Sequence, residues 1–223
     1  MTYDLLNSPD NYYDLTRRYA SSLIMQVVYG RRCPQPGSPE AEQIYECNHR
    51  FSSVAGPGMY LVDTFPILAK IPGYGTLFGN WRNKGEELFQ LDANIFLTLY
   101  RKMKAELARN AGFPCFAKDL ELSNPASHGL TELDSAYLAA ALVQPGGEST
   151  AALLNWLIRA LVTWPEIQAA AREELDRAVG SERTPVWEDE KNLPYIRAMV
   201  KELLRWALGS KFGMPHAAGQ DDW

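Results

Sequence analysis

Apolar residues recur at helical spacing along most of this chain. Four of them predict one helix over about residues 9–29: Leu15, Tyr19, Leu23 and Val27. The same spacing predicts further helices over about residues 40–54, 82–110, 131–164, 165–180 and 194–206, with a short helix within 115–130. No clear strand pattern occurs, so the sequence predicts a mainly α-helical protein.

The segment over residues 131–164 has the longest and most apolar pattern. Thr131 and Asp134 resemble a capping box at its start. Apolar residues cover nearly every face, as expected for a helix buried inside a large protein. Its middle carries Pro145 and two glycines, and a proline inside a helix removes a hydrogen bond and crowds the preceding turn. We therefore expect a buried helix that is broken or kinked at this point.

Residues 56–80 combine prolines and glycines with many large apolar side chains. An apolar loop of this length is unusual and often functional. The sequence leaves two interpretations open. The loop packs onto the core, or it borders the path by which a ligand enters.

Charge and cysteine content exclude several classes of protein. The formal net charge is −5, which provides no basic surface for nucleic acid. Cys33, Cys47 and Cys115 lack C-x-x-C spacing, which argues against a disulfide framework and against a metal site that Cys33 and Cys47 share with His49. The first residues lack a signal-peptide pattern, and no run of about 18 apolar residues occurs. We therefore expect a soluble or cytoplasmic chain without a metal-ligand cluster.

The segment from Gly146 to Thr150 departs most from what a buried helix tolerates. Two glycines are followed there by an acid and two hydroxyl side chains. Each glycine costs about 1 kcal/mol in a helix interior, and a buried acid costs more unless it is paired. Such departures concentrate at functional sites. A structural kink with a solvated notch is the alternative.

A serine hydrolase is a further alternative for this segment. The sequence around Ser149 nearly fits the G-x-S-x-G motif, and Asp189 and His216 follow in the order of a hydrolase triad. That motif needs a β-strand directly before the serine. Residues 136–142 are rich in alanine and favour a helix instead, so we disfavour the hydrolase.

Glu202 and Arg205 form an E-x-x-R sequence on the last predicted helix. Pairs with this spacing are common on helix surfaces and say little alone. This pair is distinguished by its position, because it follows the glycine-rich segment after one intervening helix and a polar loop.

The order of these segments resembles that of the cytochrome P450 family, and in detail its fungal microsomal branch. The family's central-helix motif, (Ala/Gly)-Gly-x-(Asp/Glu)-Thr-(Thr/Ser), is matched from Pro145 to Thr150, with Pro145 and Ser149 as departures. The family's E-x-x-R motif is matched on the last helix. Phe212–Ala217 is similar to the turn that follows it in the family.

The resemblance implies a heme cofactor whose iron is held by a cysteine thiolate. It implies that Gly146 and Gly147 open the central helix beside the heme and make room for dioxygen. Glu148 and the hydroxyls of Ser149 and Thr150 would then deliver protons for cleavage of the oxygen–oxygen bond.

Further residues take structural or cofactor-binding roles by the same resemblance. His216 would approach a heme propionate. Glu202 and Arg205 would form a buried network with an arginine farther along. The family's heme loop, Phe-x-x-Gly-x-x-x-Cys-x-Gly, does not occur in this sequence, so we expect no axial cysteine ligand in this chain.

The resemblance thus implies one incomplete cytochrome P450 domain over residues 1–223. Helices and an access loop would cover about 1–130, the central helix 131–164, two following helices 165–207, and the start of a sheet 208–223. The C-terminal sheet and the heme loop would be missing.

The full-length relative would insert one oxygen atom of dioxygen into a small lipophilic substrate. The resemblance places it at the surface of the endoplasmic reticulum membrane, with an NADPH-dependent reductase as electron donor. We expect the present chain by itself to be inactive and to self-associate non-specifically. A non-catalytic truncated or degenerate product is the alternative.

Overall fold

Helices make up nearly all of the chain that the structure, a computed structural model, describes: residues 1–35, 37–56 and 58–207. Its α-helices are α1 (Thr2–Asn7), α2 (Tyr12–Tyr29), α3 (Pro39–Val54), α4 (Leu61–Thr64), α5 (Trp81–Ala108), α6 (Phe116–Leu122), α7 (Glu132–Thr163), α8 (Pro165–Ala178) and α9 (Pro194–Trp206). Short 3-10 helices cover Pro9–Asn11, Pro66–Lys70, Pro125–His128 and Trp187–Asn192, and a π-helical turn covers Tyr74–Phe78. These ranges contain no strand, so the mainly α-helical prediction is confirmed.

Local sequence signals explain where these helices begin and end. Pro39, Pro165 and Pro194 stand in the first turn of α3, α8 and α9, where a backbone N–H is not needed. Gly30 ends α2 with a φ of 69°, a left-handed conformation that glycine adopts without strain. The longer helices therefore match their predicted ranges to within a few residues. α1 and α4 were not predicted, because they are too short to show a period.

The chain divides into two units, Met1–Glu148 and Ser149–Trp223. The first unit has one apolar core, to which α2, α3, α5, α6 and α7 contribute. Its most deeply buried large side chains are Met25, Val28, Tyr29, Phe96, Leu99, Tyr100, Met103 and Val143. The hydroxyl of Tyr100 donates a hydrogen bond of 2.8 Å to Glu121, so the polar end of this buried ring is satisfied.

Small residues let α7 approach the other helices of the first unit closely. Ala136, Ala139, Ala140 and Val143 are each at most 1% exposed, and their spacing of three and four places them on one face. The opposite face is not covered within the described residues, where Leu138 is 45% exposed and Leu142 is 43% exposed. This face of the helix is therefore open within the described residues, whereas the sequence predicts burial on every face only inside a large protein.

The start and the middle of α7 differ in how well they were predicted. The Thr131 amide donates to the Asp134 carboxylate at 2.8 Å, and the Asp134 amide donates to the Thr131 hydroxyl at 3.1 Å, which confirms the capping box. Helical backbone continues through Pro145 to Thr163, so the predicted break is absent and the alternative, a kink at this proline, stays a prediction. Among the described residues no helix combines the length and apolar character needed to cross a lipid bilayer.

The apolar segment over residues 56–80 contains three short helical pieces rather than one plain loop. Several of its large side chains are more than half exposed: Met59, Leu61, Phe65, Ile67 and Leu77. The interpretation in which this loop packs onto the core is therefore not supported. Its part in ligand access stays a prediction.

The second unit is held together by a tryptophan cluster and by a buried acid. Trp206 of α9 makes edge contacts with Trp156 and Trp164 at centroid distances of 5.3 and 5.4 Å. Glu174 of α8 is only 4% exposed, and its two carboxylate oxygens accept the backbone N–H groups of Tyr195 and Ile196 at 2.9 Å. This carboxylate therefore caps the N-terminus of α9 from a neighbouring helix.

We predict that Glu174→Ala lowers the free energy of unfolding by about 2 kcal/mol, because two backbone amides at the start of α9 lose a charged acceptor. Glu173→Ala is the matched control, since Glu173 is exposed on the same helix. Urea denaturation followed by tryptophan fluorescence measures both. Equal stability of the two variants would show that the cap contributes nothing.

Candidate functional site on the central helix

The glycines of the central motif face α2 at short range. A Cβ atom added to Gly146 would stand 2.8 Å from the Ile24 side chain, which is closer than real Cβ contacts come. A Cβ atom on Gly147 would stand 3.7 Å from the Ser21 hydroxyl, an ordinary contact distance. A side chain at position 146 would therefore require the Ile24 side chain to shift. The sequence interpretation, in which Gly146 makes room for dioxygen, did not foresee this neighbour.

A second contact to the same turn comes from α3 and was missed by sequence reasoning. The Asn48 side-chain amide donates a hydrogen bond of 2.9 Å to the backbone carbonyl of Gln144. Asn48 is 7% exposed and follows Ala41 and Ile44 on the buried face of α3. The sequence does contain a signal for this contact, because Asn48 is a polar residue at a position where the helical spacing of α3 predicts an apolar one.

Glu148 borders a polar pocket of about 460 Å³ on the first unit. Its lining also includes Arg17, Tyr45, Glu46, His49, Arg50 and Ser52. Glu148 itself is exposed, so its carboxylate keeps access to solvent. The structure thus places the predicted acid beside cationic side chains rather than in apolar surroundings.

Tyr45 is held in this pocket by contacts from two residues of α2. Its hydroxyl donates to the Arg17 carbonyl at 3.0 Å and accepts a hydrogen bond from Ser21 at 2.9 Å. The Arg17 guanidinium lies 3.8 Å from the centroid of the Tyr45 ring. Burial raises the pKa of Tyr45, the hydrogen bond from Ser21 and the charge of Arg17 oppose that rise, and the charge of Glu148 adds to it. Glu148 and Tyr45 are therefore electrostatically coupled.

Ser149 and Thr150 continue α7 into the second unit, where Ser149 is exposed and Thr150 is half-buried. The hydrolase alternative needs a strand before Ser149, and helix occupies that position. Asp189 is held by two hydrogen bonds from Arg183, at 2.6 and 2.7 Å. These bonds, together with the Val186 amide, lower the pKa of Asp189 to about 2. Asp189 is thus engaged in a local ion pair.

Glu202 and Arg205 form a bidentate pair on α9, with nitrogen–oxygen distances of 2.5 and 2.8 Å. Both side chains are mostly exposed, so the buried network expected for them is not found among the described residues. Glu202 also borders an apolar groove of about 490 Å³ lined by α7, α8 and α9. His216 and the Phe212–Ala217 turn lie outside the described residues.

The cysteines do not provide a metal site. Cys33, Cys47 and Cys115 are free and buried. Burial raises the pKa of Cys33, and burial together with Asp92 raises the pKa of Cys47 to about 12. These two side chains are therefore neutral thiols near pH 7 and poor ligands. Within the described residues no group of three or more His, Cys, Asp or Glu side chains is arranged to hold a metal ion.

Comparison with known proteins decides the family. The sequence profile described as Cytochrome P450 matches residues 7–222, which is nearly the whole chain. This chain belongs to the cytochrome P450 family. The predicted resemblance is confirmed, and the position of the central motif on one long helix agrees with it.

Several fungal cytochrome P450 proteins are similar along the chain. Cytochrome P450 monooxygenase verL of Clonostachys rogersoniana is 38% identical over 99% of this chain and 41% of its own length. A cytochrome P450 monooxygenase of Armillaria gallica is 34% identical over 98% of the chain and 42% of its own length. Cytochrome P450 monooxygenase 113 of Postia placenta is 36% identical over 98% and 43%, respectively. The chain therefore spans about two-fifths of the length of these relatives.

We predict that Gly146→Ala destabilises this cytochrome P450 chain by about 1–3 kcal/mol, because the new methyl group overlaps Ile24. Gly85→Ala is the control, since a Cβ there meets nothing within 4 Å and the helix gains up to about 1 kcal/mol.

Combining Gly146→Ala with Ile24→Ala tests the contact itself. The shorter side chain removes both overlapping atoms, Cγ1 and Cδ1, so the double variant should be more stable than the two separate losses predict. Thermal denaturation of the four proteins measures the coupling. Simple additivity would show that α2 does not restrict position 146.

Proposed function

We propose that this chain is part of a heme-dependent monooxygenase that inserts one oxygen atom of dioxygen into a small lipophilic substrate. An NADPH-dependent reductase would supply electrons, and the complete protein would act at the endoplasmic reticulum membrane surface. The observation that carries the proposal is the family match over residues 7–222, which includes an acid and two hydroxyls at the centre of α7. The proposed activity is that of the complete protein and not of the described residues alone.

The described residues offer the apolar surface that a heme group requires, but Cys33 and Cys47 do not fit the role of its thiolate ligand. Leu138, Leu142 and Pro145 are exposed at intervals of three and four on α7, which offers an apolar surface to a flat cofactor. Heme, when bound with a thiolate ligand, supplies the activation of dioxygen in this family. Cys33 and Cys47 do not fit the role of that ligand, because burial keeps both as neutral thiols. The proposed contribution of these residues is thus an apolar surface. The cofactor-binding roles of Gly146 and Gly147, which face α2, and of His216, which lies outside the described residues, stay predictions.

Glu148 and Ser149 would handle protons. The Glu148 carboxylate borders a pocket that is open to solvent, so it can take up a proton from water. The hydroxyl of Ser149 follows directly in the helix and is exposed, and it can both accept and donate a hydrogen bond. Thr150 would provide a second hydroxyl. Ser149 lacks the methyl group of the family's threonine, so its rotamer is less restricted.

We predict that Glu148→Gln in the complete protein, with heme and reductase, lowers product formation about 100-fold while NADPH oxidation continues. Electrons from NADPH would then reduce dioxygen to hydrogen peroxide with two protons taken from solvent, because the Glu148 carboxyl group no longer supplies the proton needed for cleavage of the oxygen–oxygen bond. Product and peroxide yields per NADPH measure this directly.

Glu188→Gln is the control for this experiment. Glu188 is exposed and lies outside residues 145–150, so this variant should keep product yield. Unchanged product yield in Glu148→Gln would remove the acid from the proposed mechanism. A complete protein that oxygenates no lipophilic substrate would contradict the function itself.

A further inference from the structure

Asn48 of α3 makes a hydrogen bond to the turn of α7 that precedes Pro145. Its side-chain amide is buried and donates to the Gln144 carbonyl at 2.9 Å. The bond joins residues 96 positions apart, so it fixes α3 against α7 rather than capping a local turn. Loss of this hydrogen bond would leave a buried amide without a partner, which costs free energy. The Asn48 side chain is therefore held in the orientation that reaches Gln144.

The turn that Asn48 contacts has little support of its own. Pro145 has no N–H, so the carbonyl of Ala141, four residues earlier, lacks its usual helical donor. Gly146 and Gly147 follow, and glycine is a poor helix former. The helix nevertheless continues through this turn. Because a carbonyl oxygen has two lone pairs, Gln144 can accept the side-chain bond without losing a backbone bond.

We propose that Asn48 is a positioning residue for Glu148. By holding the Gln144 carbonyl, it fixes the backbone that leads through Pro145 and the glycines, and so it directs the Glu148 carboxylate toward the pocket that contains Arg17 and Tyr45. The importance of this direction for proton delivery rests on the proposed function. The positioning itself does not.

The surroundings of Asn48 define which charged groups the test must keep constant. Tyr45 and Glu148 line the same small cavity as Asn48, with the uncharged Ser21, Val143 and Gly147 among its other neighbours. Farther along α3, Arg50 is paired with Asp92 of α5 at 2.7 Å, and His49 faces the polar pocket. All of these groups are unchanged in the variants below.

Amide hydrogen exchange of the whole 223-residue chain tests the proposal without heme or turnover. Asn48→Leu keeps the branched shape and the number of heavy atoms of the side chain and removes the donor. Exchange at Gly146, Gly147 and Glu148 should become roughly threefold to tenfold faster, as expected for one lost hydrogen bond, while the first turns of α7 are unaffected.

Ser135→Ala is the matched control. Ser135 is 1% exposed and donates to the Thr131 carbonyl at 3.1 Å, so the variant also removes a buried side-chain bond to the α7 backbone. Its effect should appear near Thr131 and not at the glycines. If hydrogen exchange became equally faster at all α7 amides in Asn48→Leu, Asn48 would contribute only to the overall stability of the chain. That result would overturn the proposal.

Asn48→Asp distinguishes a donor from a space-filling side chain. A carboxylic acid has the shape of the amide, but it donates a hydrogen bond only when it is protonated. Exchange at the glycines, corrected for the intrinsic rate, should be slow at low pH and should become faster as pH rises through the titration of the new carboxyl group. The wild-type chain should show no such change. A flat profile in Asn48→Asp would overturn the proposal even if Asn48→Leu failed to fold.

Discussion

The close approach of α2 to α7 at Gly146 is the constraint on which the site depends. No side chain larger than hydrogen fits there without moving Ile24. The same glycine weakens the helix, and Pro145 beside it removes a backbone donor. The contacts of Ile24 and Asn48 compensate for this loss from outside the helix. A segment that is poor by helix propensity is thus helical because of its tertiary neighbours.

This arrangement gives α7 two different sides within the first unit. One side carries alanines and Val143 into a closed core, where small side chains let helices approach. The other side leaves Leu138 and Leu142 exposed, which offers apolar surface to a partner that the described residues do not include. Glu148 lies beside a third environment, a polar pocket with cationic groups. The proposed chemistry needs all three, because a cofactor surface and a source of protons must lie close together while the helix between them stays in place.

Helix periods could be predicted from the sequence because they depend on local spacing. The capping box at Thr131 was predicted for the same reason, since both partners lie within one turn. The contacts of Asn48 and Ile24 with the glycine turn could not be predicted, because they depend on which helices meet in space. The face of α7 that is left open, with Leu138, could not be identified from the sequence either, because it also depends on which helices meet in space. The motif at 145–150 pointed to the family, and the roles of Glu148, Ser149 and Thr150 remain predictions.

Hydroxyl-radical footprinting of the leucines, read by mass spectrometry, tests most directly whether α7 has one closed and one open side. The account predicts that Leu138 and Leu142 are oxidised at rates that approach that of Leu122, which is 70% exposed. Leu99, which is 1% exposed in the core, should react far more slowly. Protection of Leu138 and Leu142 to the level of Leu99 would contradict the open side and, with it, the surface proposed for the cofactor.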